Sequence, residues 1–417
     1  MTAQVGKRGP GRSRLVVAVA SAAGMLLAVV GSAVGPAGAA SVPSSINVNA
    51  FTVSFKPMNA LKPLTHAGKG LVGVILPDTT SSTRYVDFDA PYFHQAFAAA
   101  GYSPSQYKID NAQGVDANQL SLAQADVALG AKTLIFDPLD STVGDQVQSY
   151  AASHGVKLIS YDRATFQGNP TYYVSFNNVT VGKLMGSGFN ACVAAWKVSK
   201  PQVFELDGGQ DTDPNAVSFA QGYNSAIWGT TQTPLSAGKT NSKGFTLVGD
   251  QITPGWTNSL GQQIFQQQYT AHPNINATVE ANDGLANAVI TDLKSAGVKA
   301  HKIPTTGQDA TLQGMQYILT GYQCGSVYKP IYKETEAAVS LATILRAGKT
   351  PPKGLLNGTT SPPPGKPGNT QPAVLLTPTW VTGANMNSTV IKDKFISASS
   401  LCAAVGASTC SKVGITP

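Results

Sequence analysis

Residues 71–76 read Leu-Val-Gly-Val-Ile-Leu, and Pro77 and Asp78 end the run. A continuous apolar run bounded by turn residues is typical of a strand that is buried on both faces of a parallel sheet. Further runs of this kind, separated by stretches with helical periodicity, lie at 132–136, 156–160, 202–206, 245–248, 277–280 and 373–376. Short strands that alternate with helices predict an α/β fold built on parallel sheets.

Polar residues gather where these predicted strands end. They are Asp78, Asp162 with Arg163, Asp207, Asp250, Asn282 with Asp283, and Asp309. Ligands of open α/β sheets bind beyond the carboxyl ends of the strands, and carboxylates, amides and cations suit the hydroxyl groups of a polyol. An acidic residue after a strand is also a common helix N-cap, so each residue taken singly has a purely structural alternative.

The charge balance excludes a nucleic-acid partner. The formal charge is +7, from 29 Lys and Arg against 22 Asp and Glu. Four of the basic residues, Lys7, Arg8, Arg12 and Arg14, precede the first acidic residue, Asp78. Without residues 1–39 the balance is 25 − 22 = +3, which is too weak and too dispersed for a DNA or RNA binder.

The first 39 residues are predicted to be a signal peptide. A basic segment precedes the apolar run 15–34, and Ala37-Gly38-Ala39 matches a cleavage site. The run is also long enough to span a bilayer, so an uncleaved anchor is the alternative. We therefore predict an exported protein that acts at the external face of the cytoplasmic membrane and whose mature chain is soluble.

The four cysteines favour disulfides over metal binding. None forms a CxxC pair, and an even number in an exported chain favours disulfides. Cys402 and Cys410 are close in sequence, which leaves Cys192 and Cys324 as the second pair or as two buried thiols. Residues 68–73 match GxGxxG but precede their strand, so no phosphate-binding loop is indicated. We expect no cofactor and no metal.

Several short motifs, in their order along the chain, resemble the sugar-binding proteins of ABC importers, and most of all the xylose-binding proteins. The matching segments are Ser160–Arg163, Tyr173–Asn177 with Val181-Gly182, Gly208-Gly209 with Asp213–Ala216, Gly249–Gln251 through Trp256, Asn282–Gly284, Thr306–Ala310, Ser326–Ile331, Val374–Pro378 and Thr389–Lys392. Together they cover about residues 70–401. Each motif is weak alone, but their common order is specific for the family.

The resemblance implies a type 1 periplasmic-binding fold, with two doubly wound parallel-sheet domains joined by a hinge of several crossovers. The expected parts are an extended lead-in at 40–69, domain one at 70–163 plus 331–378, domain two at 178–326, and a tail at 379–417 that carries a disulfide. The crossovers are expected near 164–177, 327–331 and 379–390. Closure of the hinge on the sugar would then present the closed form to a permease.

The resemblance also carries over a set of ligand-binding residues. They are Arg84, Tyr85, Asp162, Arg163, Asn215, Trp256, Asn282, Asp309 and Lys329. Trp256 would stack on the sugar, and Asp162 and Arg163 would hydrogen-bond its ring-side hydroxyls. We also expect these two neighbours to form a charge pair. Ala220 stands where the family often has an arginine, so a hydroxyl-binding donor is missing and the identity of the sugar as xylose stays open.

The function that the resemblance implies is capture of a monosaccharide, such as a pentose, by a monomeric binding protein that delivers it to an ABC permease. A chemoreceptor-type sensor would differ only in its partner. A secreted glycosidase is the main enzymatic alternative, because Asp211 and Asp213 resemble a carboxylate pair, although turn residues explain them better. No catalytic residue is predicted.

Overall fold

The computed structural model describes residues 40–166, 171–363 and 366–417. The predicted signal peptide at 1–39 lies outside these ranges. Within them, strands and helices alternate along the chain. The strands are β1 (Leu71–Leu76), β2 (Tyr107–Asn111), β3 (Ala131–Phe136), β4 (Lys157–Tyr161), β5 (Tyr172–Phe176), β6 (Gln202–Asp207), β7 (Thr246–Ile252), β8 (Ala277–Glu280), β9 (Ser326–Tyr328), β10 (Gly358–Thr360), β11 (Gln371–Leu376) and β12 (Thr379–Val381). The α-helices are α1 (Lys62–Ala67), α2 (Ala90–Ala99), α3 (Asp116–Ala128), α4 (Ser141–Ser153), α5 (Asn178–Ala195), α6 (Pro214–Trp228), α7 (Asn258–Ala271), α8 (Asp283–Ser295), α9 (Leu312–Thr320), α10 (Ile331–Arg346), α11 (Ala398–Val405) and α12 (Ala407–Lys412).

Two parallel sheets organise these elements. The first has the order β10-β11-β5-β4-β3-β1-β2, and only β10 and β11 run antiparallel. The second has the order β7-β6-β8. The α/β fold with parallel sheets is thereby confirmed. We call residues 71–176 with 331–376 the first lobe and residues 178–325 the second lobe; both belong to one compact unit, residues 40–417.

The described chain crosses between the lobes where the sheets end. It leaves the first sheet after Phe176, returns between β9 and α10, and passes out again from β11 into β12. Strands β9 and β12 pair with each other, with Val327 opposite Trp380, so two of the crossings are joined by backbone hydrogen bonds. Residues 172–176, which the domain prediction assigned to a crossover, form a strand inside the first sheet.

The segment 40–69 is not the extended lead-in that the sequence suggested. Residues Lys56–Leu61 form a 3-10 helix that continues into α1. Pro57 and Pro63 occupy the first turns of these helices, where proline is tolerated, rather than breaking them. The side chains of Ile46, Phe51, Phe55, Met58, Leu61 and Leu64 are buried in the main hydrophobic core. The segment is therefore part of the first lobe's core.

Several elements were not predicted, among them strand β2 and helix α3. Strand β2 lies at the edge of the first sheet, and all five of its residues are partly exposed. An edge strand of this kind lacks the apolar run by which the buried strands are recognised. Helix α3, which follows it, is equally poor in large apolar residues.

The structure contains two disulfides, with the pairing that the sequence favours. Cys192 of α5 bonds to Cys324, which directly precedes β9, and Cys402 of α11 bonds to Cys410 of α12. The tail is therefore folded, and Leu401 and Cys402 pack in a cluster with Met315 of α9. Among the described residues, no helix has the length and apolarity needed to cross a bilayer.

A buried glutamate fixes the irregular loop that follows α8. Glu280, the last residue of β8, accepts a hydrogen bond of 2.8 Å from the backbone N–H of Thr306, whose hydroxyl in turn accepts from the N–H of Glu280. The loop thereby lies beside β8 without being a strand. Burial raises the pKa of Glu280 to about 8, although the hydrogen bonds to Thr278 and Thr306 oppose this shift.

The first prediction concerns the segment before β1. Leu61 is fully buried, so Leu61→Ala should lower the free energy of unfolding by about 2–5 kcal/mol through lost burial and a residual cavity. Leu129→Ala, at a leucine that is 67% exposed, is the matched control and should change it by less than about 0.5 kcal/mol. Denaturant unfolding measures both, and equal midpoints for the two variants would contradict the assignment.

The second prediction concerns pH. Because the folded-state pKa of Glu280 lies above its value in an unfolded chain, ~4.3, the folded state binds the extra proton. The contribution of Glu280 to stability is complete below pH ~4.3, the unfolded-state pKa. It is lost as the pH rises through about 8, the folded-state pKa. Glu280→Gln should therefore lessen the decline of unfolding free energy between pH 5 and 8 by ~1.4 kcal/mol per pH unit. An identical slope in the variant would count against a protonated Glu280.

Candidate functional site

A cavity of about 330 Å³, including its mouth, lies between the lobes at the carboxyl ends of their strands. All the ligand-binding residues named from the sequence line it: Arg84, Tyr85, Asp162, Arg163, Asn215, Trp256, Asn282, Asp309 and Lys329. The first lobe supplies residues after β1 and β4, and the second supplies residues after β6, β7 and β8. Lys329 follows β9, at one of the crossings between the lobes.

Arg84 is held by three carboxylates. Its Nε and Nη2 donate to the two oxygens of Asp89 at 3.0 and 2.9 Å, and its Nη1 donates to Asp162 at 2.9 Å. Its Nη2 also donates to Glu334 of α10 at 2.7 Å. Tyr161 donates its hydroxyl to Asp89 behind this group. Four hydrogen bonds therefore fix the guanidinium before any ligand arrives.

Asp162 pairs with Arg84 and not with its neighbour in sequence. This corrects the expected pairing between Asp162 and Arg163. Burial would raise the pKa of Asp162, but Arg84, Lys329 and Arg163 outweigh it and lower the pKa below its ordinary value. Tyr85 donates its hydroxyl to the other oxygen of Asp162 at 3.2 Å. Asp162 is consequently a fixed, ionised acceptor.

Arg163 reaches across to the second lobe. Its Nε lies 3.5 Å from Oδ2 of Asp213, and its Nη1 donates to the carbonyl oxygens of Pro138 and Leu139 at 3.2 and 3.3 Å. Burial raises the pKa of Asp213, while Arg163 partly opposes that shift. The pair joins the lobes at the cavity.

Lys329 forms the third charge pair of the lining. Its Nζ lies 2.9 Å from Oδ1 of Asp309 and 5.8 Å from the centre of the Phe219 ring. Gln308 donates its amide to the other oxygen of Asp309 at 3.3 Å. Each of the three cations in the lining thus has its own carboxylate, and the described lining carries no unpaired charge.

Trp256 supplies an aromatic wall. Its indole Nε1 donates to Asp213 at 3.1 Å, and its ring meets that of Phe219 edge-on at 6.3 Å. A Cβ on Gly208 would lie 2.2 Å from the indole, so only glycine allows the ring this position. The Gly208-Gly209 motif therefore serves the placement of Trp256.

The backbone is left-handed at three of the lining residues. The φ angles are 55° at Asp162, 59° at Trp256 and 95° at Asp309. Such angles cost about 1–2 kcal/mol in residues with a Cβ and persist only where the surroundings enforce them. The side-chain bonds described above supply that constraint, and the three residues are aimed at the cavity from the ends of their strands or loops.

The two asparagines combine structural and lining roles. Asn282 caps α8 by accepting the N–H of Leu285 at 2.8 Å, so the N-cap alternative is correct for it without excluding it from the cavity. Asn215 lies in the first turn of α6 and donates its amide to the carbonyl oxygen of Asp162 at 2.8 Å. Ala220 is buried on the same helix and offers no donor.

Sequence reasoning missed several lining residues. Ser81, Ser82, Asp213, Phe219 and Gln308 also line the cavity, while Asp89 and Glu334 hold Arg84 from behind. Asp213 lay inside a recognised motif but was explained as a turn residue. It is the N-cap of α6, accepting from the N–H of Asn215 at 2.8 Å, and it is also a lining carboxylate. Glu334 lies on a helix with no strand-end signal.

Other strand-end acids are not part of the lining. Asp78 accepts the N–H groups of Thr80 and Ser81 in a tight turn. Asp207 is buried and accepts from Tyr223 and Gln210. Asp283 accepts from Ser326 and Gln323, both at 2.8 Å. Within the described ranges no group of His, Cys, Asp and Glu is arranged to hold a metal ion.

Known proteins are similar in sequence to this chain over most of its length. A family described as periplasmic binding protein domain matches residues 72–350. The D-xylose-binding periplasmic protein of Haemophilus influenzae is 32% identical over 295 residues, covering 69% of this chain and 80% of that protein. The multiple sugar-binding periplasmic receptor ChvE of Rhizobium radiobacter is 29% identical over 350 residues, covering 81% and 94%.

A solved structure shares the fold. The carbohydrate transporter solute binding protein of Chloroflexus aurantiacus, in complex with D-glucose, superposes with a TM-score of 0.67 at 24% identity. The match covers 80% of this chain and 98% of that one. With the family match over more than half of the sequence, these findings show that the chain belongs to the periplasmic-binding-protein family.

Proposed function

We propose that this protein is an exported solute-binding protein that captures a neutral monosaccharide between its lobes and delivers it to an ABC permease. The observation that carries the proposal is the composition of the cavity. Paired carboxylates and cations stand beside the aromatic side chains of Trp256 and Phe219. Carboxylates accept hydrogen bonds from sugar hydroxyls, the cations donate to them, and an aromatic ring covers the apolar C–H face.

The pairing of charges favours a neutral ligand. Arg84, Arg163 and Lys329 lie 2.9, 3.5 and 2.9 Å from Asp162, Asp213 and Asp309. An anionic ligand would meet three carboxylates and no cation that lacks a partner. Burial of an unpaired charge is costly, so a uronic acid or a sugar phosphate is disfavoured.

The relatives support a binding role. The proteins quoted above are named for binding D-xylose or several sugars, and neither is named as an enzyme. Asp213, the acid that most resembles a catalytic carboxylate, is engaged by Arg163 and by the indole N–H of Trp256. We keep a xylose-like pentose as the leading ligand, and we include related sugars because Ala220 stands where the family often has an arginine.

Closure of the lobes is the proposed mechanism. Three segments of the chain connect the lobes in the described ranges. Backbone hydrogen bonds between β9 and β12 join two of these segments. Ligand contacts come from both lobes, so bound sugar stabilises the closed form by its differential affinity for the closed and open forms. The permease would then recognise the closed surface.

A thermal-shift screen tests the proposal. The exported protein, produced from its full-length gene and stripped of ligand by unfolding and refolding, is mixed with pentoses, hexoses and their uronic acids. A neutral monosaccharide should raise the melting temperature by mass action, and the matching uronic acid should bind at least tenfold more weakly. Folded protein that responds to no sugar would refute the function, and a response to uronic acids alone would refute the neutral-ligand argument.

Replacement of Trp256 tests the aromatic wall. Trp256→Ala should weaken binding of the sugar found in the screen roughly 30-fold or more, the ~2 kcal/mol typical of a buried aromatic anchor. Trp196→Ala is the matched control, because Trp196 packs on His301 outside the cavity. Calorimetric titration measures both variants. Equal affinities in the two would remove Trp256 from the binding site.

A further inference from the structure

A second cavity adjoins the sugar pocket, the name we now use for the 330 Å³ cavity. It encloses about 1110 Å³ including its mouth and is called here the extension cavity. Ser81, Ser82, Asn282 and Asp309 line both. The cavities are therefore neighbours, with these four side chains at the border between them. Ser81 and Ser82 belong to the first lobe and Asn282 and Asp309 to the second, so the border runs between the lobes.

The lining of the extension cavity has the composition of a carbohydrate subsite. Apolar surface comes from Phe88 and Leu312, and the ring of Phe88 is held in place by stacking on the buried ring of Phe395, with 3.9 Å between centres. Hydroxyl and amide groups alternate with these faces; they are Thr80, Thr83, Asn258, Asn287, Thr311, Gln313, Ser397 and Ser400. Asp87 is the single charged side chain that this described lining adds to the shared Asp309.

The polar groups of this lining suit a sugar unit. Side-chain hydroxyls and amides both donate and accept hydrogen bonds, as sugar hydroxyls do, and the C–H faces of a sugar suit the surfaces of Phe88 and Leu312.

The wall formed by residues 395–400 is built rigidly. Ser397 caps α11 by accepting the N–H of Ser400 at 3.3 Å, and Phe395 packs in a buried cluster with Leu401. The Cys402–Cys410 disulfide closes the short tail directly behind this wall. The tail is thus folded against the lobe border, where it completes the extension cavity.

We propose that the extension cavity receives a second sugar unit, so that the protein binds glycosides or disaccharides whose first unit occupies the sugar pocket. The inference rests on the proposed function and extends its ligand from one sugar ring to two linked rings. Two adjoining cavities, one with paired charges and one with neutral amides, hydroxyls and apolar surface, suit two linked neutral rings better than one. A free monosaccharide would fill only the first.

The test compares linked and single sugars on wild type and on a blocked variant. For the monosaccharide that binds in the screen, its two methyl glycosides and its homodisaccharides are titrated by calorimetry into the ligand-free exported protein. Leu312→Trp places a larger side chain in the extension cavity at a residue that is 37% exposed. Leu260→Trp, at a leucine that is 38% exposed on α7 and outside both linings, is the matched control.

The expected result is that at least one disaccharide binds as tightly as the monosaccharide or more tightly. Leu312→Trp should then weaken the disaccharide at least tenfold and leave the monosaccharide unchanged, while Leu260→Trp should change neither. A protein that binds the monosaccharide but no disaccharide would overturn the inference and leave the proposed function intact. A disaccharide that binds Leu312→Trp as well as wild type would also overturn it. Failure of every sugar would instead refute the proposed function itself.

Discussion

The guanidinium of Arg84 joins three acids that lie 5, 78 and 250 residues away in sequence. Asp89 directly precedes α2, Asp162 directly follows β4, and Glu334 lies on α10, which packs against β3, β4 and β5. All four groups are buried. Removing one partner from such a group leaves a buried charge uncompensated, at a cost of about 3–5 kcal/mol. The shape of the cavity's first-lobe side therefore depends on this one cation.

The net charge of that cluster explains why the pKa values of Glu334 and Asp162 shift in opposite directions. Three carboxylates surround one arginine, so they cannot all be favoured in the ionised form. Burial raises the pKa of Glu334 to about 8, and the attraction of Arg84 only partly opposes this. Asp162, which also feels Lys329 and Arg163, has its pKa lowered instead. Asp162, the carboxylate that faces the cavity, thus keeps its negative charge, where a hydroxyl can use it.

The sequence located most of the lining because strand ends, and the short motifs that carry the family resemblance, are local features. The strands of one parallel sheet bring their carboxyl ends to the same edge, so the residues after β1 and β4 could be expected to converge, and so could those after β6, β7 and β8 in the other sheet. The partner of Asp162 could not be predicted in this way. Arg84 is 78 residues distant, and the neighbour Arg163 is turned toward Asp213 in the other lobe.

The same distinction explains the other errors. Strand β2 lies at the edge of the first sheet, and both it and helix α3 lack the apolar runs by which buried elements are found. The segment 40–69 is buried because its apolar side chains pack against the first lobe. Its proline residues lie at helix starts, but in the sequence they resemble those of an extended chain. Local patterns thus located the elements and most of the site, whereas pairings across the fold required the structure.

The hydrogen bonds already present leave few groups to discriminate among sugars. Arg84 directs four bonds to protein carboxylates, and Asp162 and Asp309 are each held by a cation. The hydrogen bonds of the described residues do not use Nη2 of Arg163 or the amide nitrogen of Asn282, and Nζ of Lys329 has N–H groups beyond the one directed at Asp309. A ligand therefore gains most where its hydroxyls meet these donors and the remaining lone pairs of the two aspartates. Because a buried donor or acceptor left without a partner costs about 1–3 kcal/mol, an inverted hydroxyl at one of these positions would reduce binding by roughly tenfold or more. Selectivity then arises from the few unsatisfied groups, while the paired charges keep them in place.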